Sequence, residues 1–255
     1  MAEQRVVCWF SAGAASAVAT GLTLREHPDA IIAYCETNAE HEDNARFMRD
    51  CEAWWGKSVT VLSTGEYADT WDVWTRRKAM SFPHGAPCTL ELKLKPRLAF
   101  QRPNDIQVFG YTADGPDVRR AASFRERFFE VDMRAPLIEA GITKAGCLAV
   151  LERRGIAPPV TYALGLPNAN CIPCPKATSP NYWSLIRKEW PAEFERAAAL
   201  SRKLGARMTR INNVRIFIDE IPADWPVTDA IAPACDFMCA IASDDFLNME
   251  AQDDQ

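Results

Sequence analysis

The chain has 255 residues, of which 48% are hydrophobic and 25% are charged, and its formal net charge is −5. These values are typical of globular proteins and exclude a disordered, collagen-like or coiled-coil chain. The acidic balance argues against binding of nucleic acid by bulk charge, but it leaves a local basic groove open. No apolar run reaches the length of a membrane span, and residues 6–10 are too few for the core of a signal peptide. We therefore expect a cytoplasmic protein that has no membrane partner.

Short apolar runs alternate with helical patterns in the first half of the chain. The predicted elements are strands at 5–10, 30–35, 59–62 and 106–110 and helices at 14–26 and 44–55. Strands that alternate with helices form parallel sheets with right-handed crossovers. The loops after the four strands are therefore expected to meet at one edge of a Rossmann-like α/β sheet, where ligands bind.

The second half of the chain follows a different pattern. A broken helix or helix pair is predicted over 137–155, a helix interrupted once by proline over 182–204, and a hairpin over 208–218. We therefore predict two regions. They are a nucleotide-binding PP-loop-like α/β domain at 1–165 and a helical and hairpin extension at 166–255, which carries cysteine motifs.

A turn of small residues follows the first predicted strand and opens the first predicted helix. Its residues are Ser11, Ala12, Gly13, Ala14, Ala15 and Ser16. Small side chains leave the backbone N–H groups accessible, and a helix N-terminus carries about half a positive charge, so this turn suits an anion such as phosphate. Simple packing of a strand against a helix explains the turn equally well. It matches neither the Walker nor the dinucleotide-binding pattern.

Several stretches together resemble phage and bacterial proteins of the phosphoadenosine phosphosulfate (PAPS) reductase family, in the adenine nucleotide α-hydrolase (PP-loop) superfamily. The stretches are FSAGAASAVA at 10–19, HEDN at 41–44, CTLELKLKPR at 88–97, VFGYTA at 108–113, PLIEAGITK at 136–144, NCIPCPK at 170–176, Tyr182-Trp183 and CDFMC at 235–239. They cover nearly the whole chain in the order of the family. The chain departs from the family pattern at Ala12, where glycine is usual, and at Ala15, where an acidic residue is usual. It also lacks the Glu-Cys-Gly motif of the known reductases.

The resemblance implies that an adenine nucleotide binds over Ser11–Ser16, with further contacts after the second strand. Thr37 and Asn38 stand at that position, where a hydroxyl and an amide suit the ribose or the base. A turn that caps the next helix explains Asn38 equally well.

Three cations are candidates for stabilising charge during the reaction. The resemblance implies that Lys93 reaches the phosphates or the sulfate, with a solvated lysine as the alternative. A guanidinium group binds such anions with two parallel hydrogen bonds, so Arg119 or Arg120 is a candidate, and the sequence leaves open which one acts. Other short basic clusters, such as Arg153-Arg154, are expected to be solvated faces.

Five of the nine cysteines are the candidate metal ligands. They are Cys88, Cys171, Cys174, Cys235 and Cys239. Thiolates in C-x-x-C spacing hold zinc or an iron–sulfur cluster, and the resemblance to the iron–sulfur branch assigns ligand roles to the first three. Zinc on the C-x-x-C and the C-terminal pair is the competing site, and buried thiols without a metal are the third interpretation. The other four fall in strand and helix patterns and are expected in the core; they are Cys8, Cys35, Cys51 and Cys147.

The residues and the resemblance together indicate a PAPS reductase-like oxidoreductase. It would bind ATP or a PAPS-like nucleotide and act on the α-phosphate or an attached sulfate, with a cysteine-ligated 4Fe–4S cluster or zinc. The expected partners are the small-molecule nucleotide and a thioredoxin-like reductant, and a nucleic-acid partner stays open. One alternative is an ATP-dependent sulfurtransferase that thiolates a nucleic-acid base. The other is a nucleotide-binding protein that kept the fold without catalysis, which Ala15 favours.

Overall fold

The structure is a computed structural model that describes residues 4–82 and 85–227. The chain divides into two compact units. The first comprises the described residues of Met1–Glu36 together with Glu42–Ser63 and Pro96–Val160. The second comprises Thr37–His41 and the described residues of Thr64–Lys95 and Thr161–Gln255. Across the described parts of the chain, no helix is long and apolar enough to cross a membrane.

The first unit is built on a five-stranded parallel sheet. Its strands are β1 (Val6–Trp9), β2 (Ile31–Cys35), β3 (Thr60–Leu62), β4 (Ile106–Val108) and β5 (Asp132–Arg134). Their order is β3-β2-β1-β4-β5, and each neighbouring pair runs parallel. The predicted α/β class with a Rossmann-like parallel sheet is therefore confirmed. No apolar run marks β5 in the sequence, because only Met133 of its three residues is buried, so this strand was not predicted.

Helices alternate with the strands and continue beyond them. In chain order they are α1 (Ala14–Glu26), α2 (Asp43–Trp55), α3 (Thr70–Arg76), α4 (Pro87–Thr89), α5 (Lys95–Phe100), α6 (Gly115–Arg127), α7 (Pro136–Glu139), α8 (Lys144–Arg153), α9 (Val160–Ala163), α10 (Pro180–Glu189) and α11 (Pro191–Leu204). The predicted helix pair over 137–155 corresponds to α7 and α8. The predicted break falls between α10 and α11, because Pro191 has no N–H to continue the hydrogen-bond ladder.

The second unit has its own apolar core, which is rich in tryptophan. Trp74 and Trp183 are fully buried in it, and Ile186 of α10 packs in the same cluster. The predicted hairpin is present as the antiparallel strands β6 (Thr209–Ile211) and β7 (Val214–Ile216). Its two turn residues, both asparagine, have φ values of 50° and 63°, as a tight hairpin turn requires.

The two units interleave along the chain, because residues 37–41 and 64–95 leave the sheet after β2 and β3 and join the second unit. The division at residue 165 stays a prediction about where the functions lie. The part of 166–255 that the structure describes is helical and contains the hairpin and the C-x-x-C cysteines.

Candidate functional site

The turn at Ser11–Ser16 lies at the point where the strand order of the sheet reverses. From β1 the chain continues outward to β2 and β3, and it later returns to β4 and β5 on the other side of β1. In open parallel sheets, ligands bind at the carboxyl ends of the two strands that flank this switch point. The turn follows β1 and residues 109–114 follow β4, so both loops lie at the expected edge.

The backbone of the turn directs the N-terminus of α1 toward this edge. Ala12 has φ of 53°, in the left-handed region, and its side chain is fully buried. Gly13 is extended, with φ of −112° and ψ of 159°, and it precedes the first helical residue without any side-chain cap. The first turn of α1 contains no acidic residue. Helix N-terminal N–H groups lack intrahelical acceptors, so this end of α1 is suited to an anion.

Two serine side chains close the turn through a shared hydrogen-bond network. The Ser16 hydroxyl accepts from the Ser11 N–H at 3.1 Å and donates to the Gly13 carbonyl at 3.0 Å. The Ser11 and Ser16 hydroxyl oxygens are 3.1 Å apart. A hydroxyl has one hydrogen, so the Ser16 hydroxyl donates to the Gly13 carbonyl and the Ser11 hydroxyl donates to that of Ser16. Ser11 is exposed, and its hydroxyl can therefore turn toward a bound anion without breaking the bond that Ser16 makes to Gly13.

The loop after β4 approaches the first turn of α1 very closely at Gly110. A Cβ atom at this position would lie 2.6 Å from the Ser16 nitrogen and 2.7 Å from its Cα. These neighbours are backbone atoms, which cannot move aside as a flexible side chain can. Only glycine allows this approach. Gly110 was expected only as the end of a strand, and the sequence signal for its close approach is a glycine that closes an apolar strand.

A substitution at residue 12 tests the strain in the turn. An L-residue in the left-handed region costs about 1–2 kcal/mol relative to the right-handed one, and glycine avoids this cost. Glycine also loses more entropy on folding, and the fully buried Ala12 methyl is lost, so Ala12→Gly is expected to change the free energy of unfolding by less than about 1 kcal/mol. Ala17→Gly removes an equally buried methyl from the interior of α1 and should lower it by about 2 kcal/mol. Urea denaturation measures both, and an equal loss for the two variants would contradict the left-handed conformation of residue 12.

The two candidate arginines of α6 differ in their surroundings. The Arg120 Nη1 donates to Asp117 at 2.6 Å, and its guanidinium lies 5.5 Å from the centroid of the Tyr111 ring. Asp117 also accepts from the Thr112 N–H and hydroxyl, so Arg120 belongs to the network that shapes the loop after β4. Arg119 is exposed to solvent. Arg120 therefore shapes the loop after β4, and which of the two arginines contacts an anion stays a prediction.

A buried arginine lies at the carboxyl ends of β1 and β4 and was not singled out from the sequence. Arg97 is 3% exposed and its guanidinium lies 5.5–5.9 Å from three aromatic rings, those of Trp9, Phe109 and Phe124. Its Nη2 donates to Gln107 at 3.1 Å. Burial lowers the pKa of Arg97 to about 10, which still leaves it charged at neutral pH. In the sequence, Arg97 resembles any surface arginine, so only packing identifies it.

Thr37 and Asn38, the predicted ribose or base contacts, belong to the second unit. The Thr37 hydroxyl is 3.1 Å from the Cys171 sulfur and is almost fully buried. Asn38 has φ of 52°, and its Nδ2 donates to the Ala68 carbonyl at 2.9 Å. The backbone of residues 39–40 pairs with the segment of Cys171, and the Ile172 N–H donates to the Ala39 carbonyl at 2.7 Å. The Thr37 side chain therefore contacts the C-x-x-C segment.

The segment from Cys88 to Lys93 and the C-x-x-C segment also lie in the second unit. Cys88 and Cys174 both belong to its buried apolar cluster, and the Cys174 N–H donates to the Tyr182 hydroxyl at 2.6 Å. Lys93 is half-buried on a π-helical turn, Leu90–Leu94, between α4 and α5. Single π-helical turns often occur at functional sites. No residue pattern marks this turn in the sequence, so it was not predicted.

The fit of a metal centre was tested on the cysteines of the described chain. No three His, Cys, Asp or Glu side chains within residues 4–82 and 85–227 come together closely enough to hold one metal ion. Cys88, Cys171 and Cys174 are all buried thiols and do not by themselves form a three-ligand set here. Cys235 and Cys239 lie outside the described residues. The metal ligands therefore stay a prediction, and no chemistry of the site is derived from them.

The fold and the turn define a doubly wound α/β protein with a candidate anion site at the N-terminus of its first helix. No protein-family model matches this chain. No curated protein matches it either. Its structure is similar to that of the U34-tRNA thiolase NcsA from Methanococcus maripaludis with its 4Fe–4S cluster. That similarity has a TM-score of 0.40 at 14% sequence identity and covers 80% of this chain and 72% of that chain.

Proposed function

We propose that this chain is an enzyme of the PP-loop type, which binds an adenine nucleotide through its phosphates at Ser11–Ser16 and reacts at the α-phosphate or an attached sulfate. The observation that carries the proposal is the geometry of the first strand–helix turn. The N-terminus of α1 lies at the switch point of the sheet, without a capping side chain or an acidic residue in its first turn. The resemblance of the turn and of later stretches to the PP-loop superfamily supports the same conclusion.

Each group of the turn has a distinct task in this proposal. The N–H groups of the first turn of α1 bind phosphate oxygens, and the helix dipole favours their negative charge. The exposed Ser11 hydroxyl donates to the same anion, while Ser16 holds the turn closed from within. Arg119 supplies a mobile positive charge that offsets charge developing on the phosphate or the sulfate. Lys93, Thr37 and Asn38 stay proposed as further contacts on the strength of the resemblance alone.

Two reactions are candidates, one at the attached sulfate and one at the α-phosphate. Reduction of PAPS releases sulfite and needs two electrons, which a thioredoxin-like dithiol supplies as it closes to a disulfide. The stretches that resemble the PAPS reductase family support this reaction, with a metal centre on the predicted cysteines. In ATP-dependent sulfur transfer, a nucleic-acid base oxygen attacks the α-phosphorus and pyrophosphate leaves. Hydrogensulfide then attacks the activated carbon of the base, AMP leaves with the oxygen, and loss of a proton gives the thiocarbonyl. The absence of the reductases' Glu-Cys-Gly motif favours this second reaction.

A serine substitution in the turn tests nucleotide binding. Ser16→Ala removes the hydroxyl that joins Ser11 to Gly13 and is expected to weaken nucleotide binding about tenfold, the effect of about 1.4 kcal/mol. Ser201→Ala is the matched control, because its hydroxyl also bonds to the carbonyl three residues earlier, at Ala198, in α11. Calorimetry with ATP, PAPS and adenosine phosphosulfate measures the affinities of both variants and of the native chain. Equal affinities for all three proteins would refute binding at this turn.

Turnover assays separate the two reactions. Anaerobically purified protein is incubated either with PAPS and reduced thioredoxin, or with ATP, an RNA acceptor and sulfide. Sulfite release supports the reductase, and pyrophosphate release that depends on the RNA supports sulfur transfer. Nucleotide binding with neither product would support the non-catalytic alternative. Iron, sulfide and zinc contents of the same preparation test the predicted ligands Cys88, Cys171 and Cys174 together with the C-terminal pair.

A further inference from the structure

A groove of about 450 Å³ lies on the helical layer of the first unit, along α1, α2 and α8. Its walls are mainly aliphatic side chains from these helices and the neighbouring loop, among them Leu22, Ile142 and Val150. The groove runs along α1 toward its C-terminal end, whereas the turn at Ser11–Ser16 lies at the N-terminal end of the same helix. The proposed nucleotide chemistry makes no use of it.

Three arginines converge on this groove from two helices. Arg25 stands in the last turn of α1, Arg153 in the last turn of α8, and Arg154 directly after it. The C-terminus of a helix favours a cation, which explains any one of them singly. The described residues that line the groove, however, include all three arginines and not one carboxylate. A local excess of positive charge in a chain of net charge −5 is complementary to an anion.

Two indole rings, those of Trp54 and Trp55, line the groove. Trp54 packs so closely on Gly21 that a Cβ there would lie 2.7 Å from Cη2 of the ring. The guanidinium of Arg154 lies 5.5 Å from the Trp54 ring centroid. The polar side chains that line the groove are thus three guanidinium groups and two indoles, and neither an amide nor a hydroxyl accompanies them in the described lining.

We propose that this groove binds a small amphipathic organic anion, whose apolar body lies against the aliphatic walls and whose charged group is bound by the arginines. Guanidinium groups bind carboxylates and sulfonates through paired hydrogen bonds. An adenine nucleotide fits less well, because the amino group of adenine needs a hydrogen-bond acceptor and the lining offers no carboxylate, amide or hydroxyl side chain. A long nucleic acid is disfavoured because three arginines offer few phosphate contacts.

The test uses the fluorescent aromatic sulfonate 1-anilinonaphthalene-8-sulfonate as a probe of the full chain. We expect saturable binding at one site, and displacement of the probe by decanoate. Octyl glucoside, which is neutral and has a similar apolar body, and inorganic phosphate should displace it far less. The double variant Arg153→Ala/Arg154→Ala should weaken binding about tenfold or more. Arg49→Ala, which removes an exposed arginine of α2 outside the groove, should leave the affinity unchanged.

Three results would overturn the proposal. They are the absence of saturable binding to the native chain, an unchanged affinity in the double arginine variant, and equal displacement by the neutral detergent. Displacement of the probe by an oligonucleotide but not by decanoate would assign the groove to nucleic acid instead. Circular dichroism of the variants confirms that they are folded, and exposed arginines at helix ends are not expected to unfold the chain. The Ser16→Ala variant should bind the probe normally, which separates this groove from the proposed nucleotide site.

Discussion

Gly110→Ala is expected to destabilise the protein by about 3 kcal/mol and to abolish nucleotide binding at the turn. The added Cβ would overlap with the Ser16 nitrogen and Cα at 2.6–2.7 Å, so either the loop after β4 or the first turn of α1 must move. Overpacking of this kind typically costs 1–3 kcal/mol, and here the neighbours are backbone atoms. In a chain of this size, about 3 kcal/mol corresponds to a decrease in melting temperature of roughly 10 °C. Thermal denaturation and nucleotide calorimetry measure the two effects.

Gly115→Ala provides the matched control five residues away. A Cβ at Gly115 would meet only the flexible end of Arg119, at 3.4 Å. This variant should stay within about 0.5 kcal/mol of the native chain and keep its nucleotide affinity. If Gly110→Ala were as stable as Gly115→Ala, the close approach of the loop after β4 to the first turn of α1 would be contradicted. If Gly110→Ala were unstable but bound nucleotide normally, the turn would not be the binding site.

Raising the pH above about 8.5 is expected to destabilise the first unit steeply. Burial raises the pKa of Cys8 and of Cys51 to about 12, and that of Cys147 to about 11. An unfolded chain releases the thiol proton near pH 8.5, whereas the folded chain keeps it. The stabilisation is thus complete below about pH 8.5 and is lost as the pH rises toward 11–12. Each thiol can lower the free energy of unfolding by up to about 1.4 kcal/mol per pH unit in that window.

Urea denaturation in reducing buffer at pH 8, 9.5 and 10.5 measures this loss. Cys51→Ala should make the decline with pH shallower by up to about 1.4 kcal/mol per unit, because one raised pKa is removed. Val18→Ala serves as the control, since it removes buried apolar atoms without a titratable group. It should lower the stability equally at each pH. Parallel pH profiles for Cys51→Ala and the native chain would contradict the burial of this thiol.

The cysteines show which structural features the residue pattern alone predicts and which it does not. Cys8, Cys35, Cys51 and Cys147 were expected in the core from their strand and helix periodicity, and all four are buried. Periodicity suffices there because it reports which face of an element is apolar. The spacing of Cys171 and Cys174 predicts a pair that acts together, but it does not indicate which other residues contact them. The contact of Cys171 with Thr37 joins residues 134 positions apart, which no local pattern records.

The local sequence by itself determined the strands β1 to β4, the span of α1, the break at Pro191 and the small-residue turn after β1. Each depends on interactions within a few residues, such as apolar runs, proline geometry and the absence of bulky side chains. The tertiary structure alone decided the short strand β5, the role of Gly110, the burial of Arg97 and the convergence of arginines on one groove. These features arise where segments distant in sequence meet, so their energies depend on neighbours that the local pattern does not contain.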